Sequence, residues 1–188
     1  MFIQTEQTPN PQTLKFLPGK VVMDEGTAFY QNIGEASDSP FARRMLGIEG
    51  VEGVFFGSDF ITITKNINYE WQVMKPALLG GIIDHFNSGD NTIDKKDDKE
   101  TEKSLQKNDN DSEIVKQIKE LLDTRVRPAV AMDGGDIIYN NFEDGIVYLK
   151  MQGACSGCPS STATLKMGIE NMLKHYIPEV QEVRPVDA

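Results

Sequence analysis

Apolar and polar positions change their period several times along this chain, and each change marks an element. Phe2-Ile3-Gln4 and Leu14-Lys15-Phe16-Leu17 read as extended stretches around Thr8-Pro9-Asn10-Pro11, where two prolines forbid helix. Pro18-Gly19 turns the chain before Val21-Val22, an antiparallel start. A Gly- and Ser-rich region follows. Ser39-Pro40 then supplies an N-cap and a first helical residue for a short helix through Leu46, ended by Gly47 and Gly50. Val54-Phe55-Phe56 and Phe60-Ile61-Thr62-Ile63-Thr64 flank Gly57-Ser58-Asp59, which has hairpin-loop length and chemistry. From Tyr69 to Phe86, Trp71, Met74, Leu78, Leu79, Ile82, Ile83 and Phe86 recur at three- and four-residue steps and predict one helical stripe packed on that hairpin. Pro76 lies inside the pattern and predicts a kink or a late start.

The periodicity then stops. Residues 88–111 hold Asp94-Lys95-Lys96-Asp97-Asp98-Lys99-Glu100 and almost nothing to bury, the composition of a flexible charged linker. It resumes after Asp111 or Ser112, either of which can cap a helix carrying Ile114, Val115, Ile118, Leu121, Leu122 and Val126, disturbed by Pro128. Asp133-Gly134-Gly135-Asp136 turns into Ile137-Ile138-Tyr139, and Glu143-Asp144-Gly145 turns again into Ile146–Met151. That second strand runs into Gly153-Ala154-Cys155-Ser156-Gly157-Cys158-Pro159. Ser160 or Ser161 can cap a last helix with Ala163, Leu165, Met167, Ile169, Met172, Leu173 and Tyr176 as its apolar stripe, and a short strand near 180–186 closes the chain. The expectation is an α+β protein of two small α+β domains, 1–87 and 112–188, joined by the flexible charged linker 88–111.

Composition agrees with a folded protein, at 188 residues and 39% hydrophobic. No apolar run is long enough to span a bilayer, and Met1–Glu6 lacks the basic start and apolar core of a signal peptide. A soluble, unexported protein is expected, with no membrane partner. The net charge of −10 is spread as −4 over residues 1–87, −3 over 88–111 and −3 over 112–188, with no basic cluster for phosphate. Nucleic acid is therefore not an expected partner.

The chemistry concentrates in the chain's two cysteines, Cys155 and Cys158. Two intervening residues let both sulfurs point at one centre, which serves a metal, an iron–sulfur cluster or a reversible disulfide equally well. A closed zinc site or an ordinary cluster takes about four soft ligands. Only His85 and His175 could complete such a set, and neither has ligand spacing to the pair, so a metal here calls for two chains. Position just ahead of a helix N-terminus predicts exposed thiols shifted toward thiolate. Gly153 and Gly157 leave room beside them. Against a thioredoxin-like site stand Ser156-Gly157 between the thiols and the lack of an aromatic residue before the first. A shared cluster, thiol–disulfide exchange and a zinc-linked structural dimer all stay open on these residues. The first domain offers no nucleophile–base pair, and its His85 reads as an exposed helix residue.

With these motifs laid out, the chain resembles the Nfu proteins, iron–sulfur scaffolds and carriers that share a domain with NifU. The second half carries Met132-Asp133-Gly134-Gly135-Asp136 followed by Gly153–Ser161, matching the NifU-like domain. The first half matches the Nfu-type domain in Thr8–Pro11, Leu14–Gly19, Ser39-Pro40, Gly50–Gly57, Asp59–Thr62 and Trp71 to Pro76. The resemblance implies that Cys155 and Cys158 of two chains bind one [4Fe–4S] cluster across a homodimer axis, with [2Fe–2S] as the alternative. It implies delivery to apo iron–sulfur clients, loading by upstream cluster-assembly proteins, and no enzymatic activity. The N-terminal domain would recognise partners. The absence of a transit-like start favours a bacterial cytoplasm, with the mitochondrial matrix as the alternative for a processed chain.

Overall fold

The computed structural model describes residues 1–94, 112–157 and 159–186, and of 159–161 only the backbone. The expected linker falls largely on 95–111, outside the described residues, as do Asp111 as a cap and Cys158. The chain divides into two compact units, residues 1–97 and 98–188.

In the first unit β1 (Gln4–Gln7), β2 (Thr13–Leu17), β3 (Ala28–Tyr30), β4 (Val51–Phe56) and β5 (Ile61–Lys65) form one antiparallel sheet in the order β1-β2-β5-β4-β3. Alternation sets which side chains turn inward. Leu14, Phe16, Val54, Phe56, Ile61 and Ile63 join a single core with residues of α1 (Pro40–Leu46) and α2 (Trp71–Ser88). The α1 start is as its residues predict: Ser39 Oγ accepts from the Ala42 amide at 3.0 Å, a cap worth about 1 kcal/mol. Strand β3 is an addition to the expected elements. It pairs with β4 through Phe29↔Phe55 and Tyr30↔Val54, so tertiary pairing, not a local apolar run, makes it.

Two expectations are corrected here. Residues 88–94 have linker composition, yet Ser88 is the last residue of α2. The segment after it folds back, with Ser39 Oγ donating to the Thr92 carbonyl at 2.6 Å and the Asp94 amide to the Asp38 carbonyl at 2.7 Å. His85, expected at the surface, is 2% exposed and stacks on Phe41 with ring centroids 3.8 Å apart. Burial pushes its pKa below the usual histidine value, Arg44 pushes the same way, and Asp90 opposes them. The unfolded chain therefore takes the proton first as pH falls. Stability of this unit is expected to be complete above about pH 6.5 and to decline below it until the folded histidine itself titrates. Urea unfolding at pH 7.5 and 5 should reveal the decline, and His85→Phe should flatten it.

The second unit follows the order α-β-β-α-β. Ser112 caps α3 (Glu113–Leu121), accepting from the Val115 amide at 3.4 Å. Pro128 does not end the helical run. A π-helical segment (Leu122–Val126) widens the turn before it, and α4 (Arg127–Met132) begins with the proline in its first turn, where no N–H is needed. β6 (Gly135–Glu143) and β7 (Ile146–Gly153) form an antiparallel hairpin closed by Asp144 and Gly145, both at positive φ (51° and 78°). α5 (Pro159–Tyr176) then returns the chain to β8 (Glu182–Val186), which pairs parallel with β7. α5 begins at Pro159, so Ser160 and Ser161 lie within it, their side chains outside the described set. Ile118, Leu122, Val126, Ile137, Val147, Leu149, Met151, Ile169, Leu173 and Val183 make the core. Three members of the expected α5 stripe do not reach it: Ala163 is exposed, Met167 is 67% exposed and Tyr176 47%.

Candidate functional site

Strand β7 delivers the chain to Gly153 and the helix α5 takes it up at Pro159, so the cysteine loop joins the central strand of the second sheet to its crossover helix. Backbone hydrogen bonds shape its start. The Ala154 amide donates to the Gly134 carbonyl (3.1 Å), Cys155 to Gln152 (3.3 Å) and Ser156 to Gly153 (3.1 Å). Gly153 and Gly157 both adopt positive φ, at 62° and 79°, which a side chain would resist. Thr162 Oγ1 donates to the Cys155 carbonyl at 3.2 Å and ties the loop to α5.

Cys155 is not displayed by this loop. It is 5% exposed and belongs to the core of the unit. Burial pushes its thiol up to about 12, and the carboxylates of Asp133 and Asp136 add to the effect. The expected exposed, thiolate-leaning cysteine is thus corrected for Cys155: desolvation and two acidic neighbours outweigh the helix end that follows. Cys158 lies outside the described residues. His85 belongs to the first unit and His175 is an exposed residue near the end of α5. Among the described residues no group of three or more His, Cys, Asp or Glu side chains is placed to hold a metal ion.

The turn before β6 does more than reverse the chain. Asp136 is 3% exposed and receives a bidentate grip from Arg127, with Nε to Oδ1 at 2.8 Å and Nη2 to Oδ2 at 2.9 Å. Its Oδ1 also accepts from the Ile137 amide at 2.8 Å, and Arg127 reaches Asp123 at 3.1 Å. The fork locks α4 to the first residues of β6, directly beside the cysteine loop. Gln152 pairs with Asp136 across the strands and is 8% exposed, but its Oε1 has no hydrogen-bond partner among the described residues. Such a buried acceptor costs about 1–3 kcal/mol. Sequence reasoning treated 133–136 as a turn alone and missed this pair; the one signal was a carboxylate at the entrance to the apolar strand Ile137-Ile138.

Comparison with known proteins places this geometry. The family model "Scaffold protein Nfu/NifU N terminal" matches residues 3–89, and "NifU-like domain" matches residues 118–184. The two together, in this order, define a two-module protein of the NifU-related scaffold class. Human "NFU1 iron-sulfur cluster scaffold homolog, mitochondrial" is 52% identical over 187 residues, covering 99% of this chain and 72% of that protein. "NifU-like protein 4, mitochondrial" of Arabidopsis thaliana is 51% identical over 97% of this chain, which spans 65% of its length. The chain belongs to the Nfu family of iron–sulfur cluster scaffold proteins. A solved NifU-like protein from Saccharomyces cerevisiae superimposes with a TM-score of 0.46 at 27% identity, over 51% of this chain and 87% of that one. Both relatives carry "mitochondrial" in their names, and a bacterial cytoplasm finds no support in them. Among the described residues no helix is long and apolar enough to cross a membrane.

Proposed function

We propose that this chain holds a [4Fe–4S] cluster as cargo between two copies, ligated by Cys155 and Cys158 of each, and hands it to apo-proteins. The observation that carries this reading is the ligand count. Such a cluster takes about four thiolates, and the whole sequence contains two cysteines. Two chains meet the requirement and one does not. The glycines at 153 and 157 leave the loop short of side chains, so an object larger than one sulfur can approach its backbone.

Loose holding suits transfer. With two thiolates from each chain, acceptor thiolates can replace ligands stepwise, without the carrier changing its own covalent bonds. The chain is a carrier on this reading and not an enzyme, dimeric when loaded, filled by upstream assembly proteins and emptied by apo clients. The cluster domain is 112–188, while 1–87 recognises partners. The compartment on this reading is the mitochondrial matrix, reached as a processed chain, and the word "mitochondrial" in the similar proteins' names supports it.

Anaerobic reconstitution with iron and sulfide, followed by quantitation on size-fractionated protein, tests the reading. About four iron and four sulfide per two chains in a dimer-sized fraction are expected, and about two of each would assign [2Fe–2S] instead. A monomer free of iron that cycles between dithiol and disulfide would overturn the carrier reading in favour of an oxidoreductase.

A further inference from the structure

Cys155 is enclosed where it lies, 5% exposed and part of the core. Its sulfur occupies the space in which any side chain at position 135 would stand. A Cβ built on Gly135 would lie 2.5 Å from Cys155 Sγ, 2.8 Å from the Gln152 carbonyl oxygen and 3.0 Å from the Cys155 amide nitrogen. Gly135 is not among the glycines at positive φ. The backbone conformation there is open to any residue, so the close approach of the loop, not the dihedral angle, demands glycine.

A second observation shows that the closed arrangement is not fully satisfied. Gln152, three residues before the thiol, keeps a buried Oε1 with no partner among the described residues. A buried acceptor without a donor disfavours the state that holds it and favours any rearrangement that hydrates or pairs it. The loop above has a glycine at positive φ on each side of Cys155, at 153 and 157.

We propose that Gly135 is a positioning residue that seats the Cys155 thiol beneath the loop, and that loading requires residues 153–157 to lift it from this seat, a movement eased by the unpaired acceptor of Gln152. This rests on the carrier reading, in which a cluster shared with a second chain needs the thiol outside. The scaffold thus has a stored state, in which Cys155 is enclosed, and a presenting state, in which it is a ligand. The two residues act in opposite directions: Gly135 permits storage and Gln152 opposes it.

The test uses the full chain carrying Cys158→Ser, which leaves Cys155 as the sole thiol, and follows its alkylation by iodoacetamide at pH 8 by intact mass. In the folded protein the reaction should run about 100-fold slower than in urea-unfolded protein, with little dependence on low urea, the signature of local opening. Adding Gly135→Ala should accelerate it about tenfold by denying the thiol its seat, while Gln152→Met should slow it several-fold by removing the unpaired acceptor. Alkylation of the folded chain at the unfolded rate overturns the proposal. So does a Gly135→Ala chain that unfolds cooperatively yet reacts no faster. Should that variant not fold, Gln152→Met decides alone, and an unchanged or faster rate overturns the proposal. The two readings fail separately. If Gly135→Ala frees the thiol but the native chain takes up no iron, the carrier reading falls and the seat stands; if the native chain loads a cluster and neither variant shifts alkylation, only the seat falls.

Discussion

Cys155→Ser and Cys158→Ser chains are each expected to leave anaerobic reconstitution without bound iron. The size of the effect comes from symmetry. One substitution per chain removes two of about four thiolates from a shared site, and a serine hydroxyl is a poor ligand for iron in a cluster. The two variants should therefore be equally empty, although the Cys155 thiol is enclosed and raised to about 12 in the closed state. Iron and sulfide content with the visible absorption spectrum reads the result. Retention of a full cluster by either variant would end the shared-ligand reading. A mixed disulfide trapped with a client by only one of them would turn attention to thiol exchange, in which a single sulfur attacks.

Arg127→Met should cost the second unit about 2–4 kcal/mol, somewhat less than the roughly 3–5 kcal/mol usual for breaking a buried pair, because water reaches the arginine side of the bond. The side chain of Asp136 is 4% exposed and that of Arg127 37%. Removing the guanidinium takes both prongs of a charged fork from a buried carboxylate whose Oδ1 also accepts from the Ile137 amide. Arg127→Lys should recover part of the loss, since it restores charge without the two-pronged fork. Urea denaturation followed through the second unit reads the cost, and a loss below about 0.5 kcal/mol, typical of a surface pair, would show the bond to be incidental.

The elements that were legible in the sequence carry their own local cause. Ser39-Pro40 caps α1, Asp144-Gly145 closes the β6–β7 hairpin, and the apolar spacing of α2 survives Pro76. What escaped depends on partners distant in sequence. Ala28–Tyr30 becomes a strand because β4 offers an edge, and His85 goes inside because Phe41 provides a flat apolar face. At the site, the motif Gly153–Pro159 marked out the cysteines, and their number is what the proposed second chain rests on. The enclosure of Cys155 was invisible, because it depends on Gly135, which is distant in sequence and becomes adjacent only when β6 pairs with β7. Arg127 and Asp136 met the same obstacle, being joined only by the way α4 turns into β6.

The parallel pairing of β7 with β8 has a consequence for synthesis on the ribosome. Every described strand and helix of the first unit is encoded by residue 88, so that unit can close while the second is still being made. β7 gains its second neighbour only after Val186 has emerged, 31 residues beyond Cys155. At common elongation rates that gap lasts about 2–6 s. For that interval the nascent chain carries Cys155 on an unfinished sheet, open to oxidants or stray metal, because Val183 of β8 belongs to the core that encloses it.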